Sequence, residues 1–578
     1  MTPQAFLAYF ETFAAAPNGI AKLRELILQL AVQGKLVPQD VNDEPAIETL
    51  ARIESEREAC VAAGEIPHQR PVSPITEAAE LFSLPASWQW ARFGHLCLFI
   101  EAGWSPKCEE RPRIGDEWGV IKISAVTWGR FNADENKTLP SHMEPRLSCE
   151  IRSGDFLMSR ANTAELVARS VVVEEAPPRL LLNDKVLRVK FPEEVDNLYV
   201  NLFNNCTVAR RYYVTVASGT SESMLNVSRE NILEMPIPLP PLAEQRRIVE
   251  KVDQLLGLCD ELAARQAAQR EKRQRLVGAT LDRLVSTRNP SEFPNHAHRL
   301  RNHFDQLFDT PTTIPQLRQT ILQLAVQGQL VPQDPNDEPA KCLRQRLAVF
   351  ATELLESGRT SRRKPVPEID ESDVPFLLPE QWAWVRFGEL AAEVEYGTSQ
   401  KASEIGGDVP VLRMNAIRDG RVVLEESKFV ASTIKDLPKL YLKNGDILFN
   451  RTNSYELVGK SGVFYGPDNK FTFASYLIRG SLLPELLPEF ITIAMNAKYY
   501  RTTQIEPEVT QQCGQANFNG TKLQHSLIPL PPLAEQKRIV TKVTELLSLC
   551  DALEAKLTQA ESASTQLLSA AVYHLLQH

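Results

Sequence analysis

The chain has 578 residues, more than one hydrophobic core usually supports, and its length points to about three or four domains. With 43% hydrophobic and 24% charged residues it lies in the globular range, which excludes a disordered, collagen-like or wholly coiled-coil chain. The formal charge of −9, from 64 basic and 73 acidic residues, argues against a protein that coats nucleic acid through bulk positive charge and confines any such contact to local patches.

In chain order, MTPQAFLAYFETFAAAPNG has no basic start before its apolar stretch and carries Glu11 inside it. No apolar run elsewhere reaches about 18 residues, so the expectation is a cytoplasmic chain with no membrane segment. Nine cysteines without a Cys-x-x-Cys pair write neither a disulfide framework nor a zinc ribbon.

The chain then repeats itself. LRELILQLAVQGKLVPQDVNDEPA at Leu23 to Ala46 returns as LRQTILQLAVQGQLVPQDPNDEPA at Leu317 to Ala340, with four differences and an offset of 294. LPASWQWARFGHL from Leu84 returns as LPEQWAWVRFGEL from Leu378 with the same offset. IPLPPLAEQRRIVEKVDQLLGLCD from Ile237 returns as IPLPPLAEQKRIVTKVTELLSLCD from Ile528, now with an offset of 291. Between these blocks, 97–236 and 391–527 share only scattered features. The period is far too long for a solenoid, so the reading is two duplicated modules whose frames are constant and whose inserts are specialised.

Each IPLPPLAEQ block predicts a long helix entered through its prolines. Ile248, Val252, Leu255, Cys259 and Leu262 alternate by four and three, as do Ile539, Val543, Leu546, Cys550 and Leu553, which is the spacing of a coiled-coil seam. Continuing the register reaches Gln266, Gln269, Arg273, Leu276 and Thr280, a seam of about 48 Å at 1.5 Å per residue. Cys259 and Cys550 lie on that seam as small hydrophobes, not redox groups. The LILQLAVQG blocks predict shorter helices, ended by Gly34 and Pro38 in the first copy, that pack on the long ones. The order short helix, insert, long helix, twice over, predicts a pseudo-twofold molecule with its termini close together.

The inserts carry β signal in Trp118 to Val126, Leu180 to Phe191 and Val409 to Ile417, followed by helical stretches, so each reads as an α+β domain. Residues 286–313 and 359–376 read as irregular connectors from their polar, proline-containing composition.

No catalytic constellation stands out. Gly459 to Ser461 is a Gly-Lys-Ser without the first P-loop glycine, whose place is taken by Ser454. There is no Asn-Pro-Pro-aromatic motif, and Pro467-Asp468 lacks a following Glu-x-Lys. His296, His298 and His303 lie in a polar stretch without a cysteine set, which favours a solvated loop over a metal site.

What remains is binding chemistry. GDFLMSRANT from Gly154 parallels GDILFNRTNS from Gly445, each with an Asp at a turn into a strand and an Arg beside Asn at its far end. Arg grips guanine or phosphate in a bidentate fork and Asn pairs with adenine, which nominates Arg160, Asn162, Arg451 and Asn453 as DNA contacts. The competing reading is that Asp155 and Asp446 cap turns and pair with those arginines. Residues 88–241 carry 18 basic and 20 acidic residues and 382–532 carry 16 of each, so the net charge of the remainder is −7. That balance permits basic faces on the inserts, with Lys122 and Arg130, Arg210 and Arg211, Arg413, Arg418 and Arg421, and Lys443 as further candidates.

The doubled IPLPPLAEQ(R/K)RIV, the doubled LQLAVQG(K/Q)LVPQD and the WxWxRFG that opens each insert resemble the specificity (S) subunits of type I restriction–modification systems, over nearly the whole chain. The resemblance implies two α+β target-recognition domains separated by long antiparallel coiled-coil spacer helices. The corresponding division is an N-terminal helical segment packing with the C-terminal frame (1–83), a first recognition domain (84–241), a central spacer helix (242–285), a linker with the repeated helical segment (286–377), a second recognition domain (378–532) and a C-terminal spacer helix (533–578). It implies double-stranded DNA as ligand, read as a bipartite asymmetric target with one half-site per domain, and spacer helices that act as a ruler. Two methyltransferase (M) subunits would supply S-adenosylmethionine, and restriction/translocase (R) subunits ATP and Mg²⁺. The chain itself would be non-catalytic, bind no cofactor directly and hold no metal. Half-sites about one turn of B-DNA apart, roughly 34–36 Å, are within reach of such a seam. Two other classes stay open on the residues alone: a stand-alone modification enzyme with an unfamiliar active site, and a coiled-coil scaffold without DNA specificity.

Overall fold

Each Pro-Pro-Leu-Ala-Glu-Gln block opens a helix of 45 residues, Leu242–Ser286 and Leu533–Gln577. The prolines end the preceding strand, and the glutamine folds back on them: Gln245 Nε2 donates to Pro240 O at 2.9 Å and Gln536 Nε2 to Pro531 O at 3.0 Å. The glutamate beside it is a buried anchor. Glu244 accepts from the Trp88 indole at 2.9 Å and from Gln39 at 2.6 Å, and Glu535 accepts from Trp382 at 2.9 Å and Gln333 at 2.6 Å. Burial pushes both carboxyls above the ordinary carboxylate range, and the indole and amide donors counter it. One anchor thus ties the long helix, the loop after the short helix and the start of the insert together, identically in both copies.

The computed structural model describes residues 10–68, 71–76, 80–127, 129–221, 224–287, 292–358, 365–512 and 514–577. Residues 1–9, where the reading of the N-terminal stretch begins, lie outside the described residues, as do 288–291 and 359–364 of the two connectors. The chain forms two compact units, residues 1–269 with 561–578, and residues 270–560, so each long helix contributes to both.

In the first unit the short helix Gly19–Val32 buries Leu23, Leu26, Ile27 and Leu30 against Ile248, Val252, Leu255 and Cys259 of the long helix. Burying each leucine fully contributes roughly 1.5–3 kcal/mol. Phe10 and Ala14 of the helix Phe10–Ala15 join this core, and Val572 from the end of the second long helix packs on it. In the second unit Leu317, Ile321 and Ala325 of the helix Ile314–Val326 share a core with Ile539, Val543 and Cys550, joined by Val277 and Leu281 from the end of the first long helix. Both seam cysteines are buried in these cores.

The second half of the seam differs from its expected register. Gln269 is exposed and Leu276 is 58% exposed, whereas Val277, Leu281 and Leu284 are buried; in the other copy Leu567 is 72% exposed and Leu568 buried. A straight helix at 3.6 residues per turn drifts from a heptad register by about 20° per seven residues. Here the helix also changes partners along its length, so nothing holds one stripe in register. Leu262, Leu546 and Leu553 are half-buried.

The connector 286–313 is largely helical where described, with Phe293–Asn302 and Phe304–Leu307. His296 and His298 therefore sit on a helix: Arg301 and Asn302 contact the two ring nitrogens of His298, each at 3.0 Å. In 365–376 the only regular element is the turn Glu371–Asp373.

Each insert is closed at its base by a strand pair, Gln89–Arg92 with Pro236–Leu239 and Ala383–Arg386 with Leu527–Leu530. In the first insert an antiparallel sheet runs in the order Phe99–Ala102, Val186–Lys190, Phe156–Ser159, Ser170–Val172. Phe156–Ser159 is buried along its whole length, as a central strand covered on both faces requires. A second sheet joins Asn136–Thr138, Gly119–Ile121 and Leu180–Leu181, and a third joins Ser218–Ser221, Met224–Asn226 and Ala161–Asn162. The β signal at Trp118 to Val126 resolves into a three-residue strand and a 3₁₀ turn, Ile123–Val126.

The second insert repeats this plan from its Gly-Asp turn onward, but its main sheet has six strands, in the order Ala391–Tyr396, Leu477–Leu482, Ile447–Asn450, Ser461–Val463, Arg421–Val422, Ile417–Arg418. Ile447–Asn450, Thr452–Asn453, Ser461–Val463, the helix Pro488–Asn496 and Leu527–Leu530 stand at the offset of 291 from Phe156–Ser159, Ala161–Asn162, Ser170–Val172, the helix Asn197–Asn205 and Pro236–Leu239. Matched hydrogen bonds confirm the register: the Asn205 amide donates to Ser170 O and that of Asn496 to Ser461 O, both at 2.9 Å. The inserts therefore diverged in sequence over one backbone.

Candidate nucleic-acid interface

The Gly-Asp turns are built alike. Gly154 and Gly445 adopt left-handed backbone, with φ of 85° and 88°, and the following aspartate accepts from the backbone N–H three residues earlier, Arg152 or Lys443. Both aspartates are buried. Their ionic partners are not the arginines of their own motif. Asp155 binds Arg188 Nη1 at 3.1 Å and Lys190 Nζ at 2.8 Å, and Arg188 also engages Glu101 and the carbonyls of Glu150 and Ser148. Asp446 accepts from Ser481 Oγ at 2.6 Å, and burial pushes its carboxyl up. Arg479, the counterpart of Arg188, is buried and paired with Glu393 at 3.1 Å.

That arrangement leaves the motif arginines for other work. Arg160 bends between two strands, its N–H donating to Lys185 O at 2.9 Å, and its side chain is exposed. Arg451 repeats the bond with Tyr476 O at 3.0 Å; its guanidinium lies 4.9 Å above the Tyr396 ring and donates to Ser475 O at 3.3 Å. Asn162 and Asn453 turn their Oδ1 onto the next backbone N–H, at 2.9 and 2.8 Å, which leaves their amide donors outward. Both sit on short strands that pair with the strands Met224–Asn226 and Gln515–Asn517.

The remaining candidates divide. Lys122 and Arg413 occupy one position, immediately before the 3₁₀ turns Ile123–Val126 and Met414–Ala416; Lys122 stands 3.5 Å from Glu135 and Arg413 is exposed. Arg211, Arg421 and Lys443 are exposed, and Arg418 pairs with Glu425 at 2.8 Å. Arg130 is exposed and its charge is felt by Asp253 and Asp260 of the long helix, so it faces that helix as well as solvent.

Among the candidates, Arg210 stands apart in the direction of its side chain. It is directed inward, donating to the carbonyl of Val167 and, at 3.5 Å, to those of Ala164 and Glu165, with its guanidinium 5.8 Å from the Tyr213 ring. Burial lowers its pKa to about 10, which leaves it charged at neutral pH. Arg501 makes the matched bond to Val458 O at 2.6 Å. Adjacent residues on a helix point about 100° apart, so a paired Arg-Arg places one side chain inside and one outside. Arg210→Ala is expected to destabilise the fold by about 1–3 kcal/mol through the freed carbonyls. Arg211→Ala is expected to stay within about 0.5 kcal/mol; thermal unfolding of the two variants side by side checks the contrast.

Two further elements repeat between the inserts. Gly-Trp-Ser-Pro-Lys at 103–107 and Gly-Thr-Ser-Gln-Lys at 397–401 stand at the offset of 294, a repeat whose Gly-x-Ser-x-Lys signal is in the sequence but easily lost among divergent neighbours. Each glycine lies against backbone just past the end of a strand, Leu180–Leu181 or Thr472–Phe473: a Cβ would come within 2.2 Å of Leu182 O at Gly103 and 2.3 Å of Ala474 O at Gly397. In the first unit Lys107, Lys122 and Lys185 line one depression, and Lys185 O holds the Arg160 backbone. Among the described residues, Arg160, Lys107 and Lys185 are exposed with no carboxylate partner within 4 Å. Cations left unpaired around a concave surface suit a polyanion. Among the described residues there is no group of three or more His, Cys, Asp or Glu placed to hold a metal ion, and no helix long and apolar enough to cross a membrane.

Comparison with known proteins places this geometry. Residues 379–561 match the family described as type I restriction modification DNA specificity domain. The chain is 30% identical to the type I restriction enzyme EcoEI specificity subunit of Escherichia coli over 96% of its own length and 93% of that protein's. It is likewise 30% identical to the EcoAI specificity subunit of the same species, with the same coverage. The crystal structure of the HsdS subunit from Thermoanaerobacter tengcongensis aligns with 84% of this chain and 98% of that one at 21% identity, with a TM-score of 0.37. The duplicated frame, its two divergent inserts and full-length similarity to the curated relatives lead to one assignment: the chain belongs to the family of type I restriction enzyme specificity subunits.

Proposed function

We propose that this chain reads a bipartite, asymmetric double-stranded DNA target, one half-site through each insert, while its frame holds two methyltransferase subunits. The observation that carries the reading is one backbone plan used twice on matching frames, with different exposed side chains in each copy. Identical frames suit two copies of one partner; different inserts suit two different half-sites. Lys122, Arg160, Asn162 and Arg211 in the first insert, and Arg413, Arg418, Arg421, Lys443, Arg451 and Asn453 in the second, are the proposed contacts, with Lys107, Lys185 and Lys401 added. Arg130 is kept as a contact at the edge of the first surface.

In this reading the chain is non-catalytic and binds no cofactor itself. S-adenosylmethionine belongs to the methyltransferase subunits, and ATP with Mg²⁺ to restriction subunits that join the complex. The long helices run antiparallel as a pseudo-twofold coiled-coil spacer that sets the distance between half-sites. Expression with the methyltransferase partner, followed by single-molecule mapping of methylated adenines, tests the proposal. One asymmetric, two-part motif is expected; methylation without a motif would overturn it. Inserting or deleting residues within 262–285 is expected to change the spacer length and leave the letters of both halves intact. Active variants with unchanged spacing would refute the ruler.

A further inference from the structure

The matched register allows the two recognition surfaces to be compared position by position. Several cationic positions are shared, among them Lys107 with Lys401 on the glycine-anchored loop, Lys122 with Arg413 before the 3₁₀ turn, Arg160 with Arg451 at the bend between strands, Arg130 with Arg421, and Arg152 with Lys443. One neighbouring position keeps its backbone role and changes its chemistry. Lys185 and Tyr476 each lend a carbonyl to the bend arginine, at 2.9 and 3.0 Å, and each presents its side chain to solvent, Tyr476 with 46% of its surface exposed.

Phosphate is the same at every DNA site, whereas base edges are not, so contacts to phosphate position a protein and contacts to bases specify. Resting on the DNA-reading role proposed above, we infer that the shared cations grip the sugar-phosphate backbone and that Lys185 and Tyr476 are specificity-determining residues, each reading base edges in its own half-site. An ammonium only donates, whereas a phenol donates, accepts and adds an aromatic ring. Lys185 suits the O6 and N7 acceptors of guanine, and Tyr476 offers an aromatic face to the methyl group of thymine. The anchoring of Gly103 and Gly397 against backbone just past a strand end fixes the lysine loop relative to this position, so that phosphate grip and base reading keep one register.

The test uses the full chain in complex with its methyltransferase partner. Lys185→Ala is expected to relax one base pair in one half-site, with roughly 5- to 150-fold less discrimination there. Tyr476→Ala is expected to relax the other half-site only. Lys107→Ala combined with Lys401→Ala is expected to leave every letter of the motif unchanged and to make the logarithmic salt dependence of binding shallower by about 0.9 per lysine removed. Competition binding against single-base variants of the site gives the same readout for any variant that binds DNA without methylating it. Unchanged letters in both Lys185→Ala and Tyr476→Ala, or altered letters in the lysine double variant, would overturn the division of labour. A wild-type complex without sequence preference would instead defeat the DNA-reading role beneath it.

Discussion

Replacing residues 97–236 with the insert of another specificity subunit is expected to give a complex that methylates a motif changed in one half, with the other half and the spacing retained. The strand pair at the base of the insert makes this exchange possible. Gln89 to Arg92 pair with Leu239 back to Pro236, which brings the insert's two ends side by side, and Phe93 N donates to Met235 O at 2.8 Å just inside them. Outside the exchanged segment, Trp88 and Glu244 keep their 2.9 Å bond and Gln89, Trp90 and Ala91 keep Leu239, Pro238 and Ile237 as partners, so the anchor on the long helix and three of the four clasp pairs survive the replacement. Each base pair that no longer matches costs about 1–3 kcal/mol, so several together weaken the original site by three orders of magnitude or more. Mapping methylated adenines genome-wide reads both halves at once, and new letters appearing in both would show that the inserts do not act independently.

Arg188→Ala is expected to carry a large loss of stability in the first insert, about 3–5 kcal/mol. Arg188 is only 6% exposed and gathers Asp155, Glu101 and two backbone carbonyls at the centre of the sheet. Removing it leaves Asp155, itself 1% exposed, with Lys190 as its remaining cationic partner and strands both carbonyls. Arg479→Ala is expected to act alike in the second unit, where Lys439 O, Tyr441 O and Glu393 lose the same donor. Arg160→Ala, on the exposed bend of the same domain, is expected to stay within about 0.5 kcal/mol while weakening DNA binding. Urea unfolding of the three variants, followed at the first transition, separates the two behaviours; an Arg188→Ala midpoint equal to wild type would refute the burial argument.

The contrast between Arg160 and Arg188 shows where the sequence was legible. The Gly-Asp turns, the long helices and the first half of their seam follow from local chemistry: turn glycines, prolines ahead of a helix, apolar residues by fours and threes. The aspartates' partners do not, because Arg188 lies in a strand 33 residues from Asp155 and only sheet pairing joins them. The inward direction of Arg210 was not legible, because a helix sends neighbouring side chains to different environments and charge counting carries no direction. The common backbone of the inserts was hidden for a different reason. Cores tolerate exchange at similar volume and pattern, so Ile491 can stand where the first insert has Val200 and Ile447 where it has Phe156, while Ser170 and Ser461 keep the polar bonds that fix the register. The seam beyond Leu262 failed as a heptad because the helix has a new neighbour there, which no period can announce.

Phe10 and Val572 meet in one core although almost the entire chain separates them, and this has a consequence for synthesis on the ribosome. The second unit, 270–560, holds all of its own residues before the last helical turns emerge. The first unit begins earlier yet completes last, since residues 561–578 belong to it. Closing so long a loop is slow relative to local folding. The nascent chain therefore carries Leu23, Ile27 and their neighbours with one side of their core unfinished until residues 561–578 have been made.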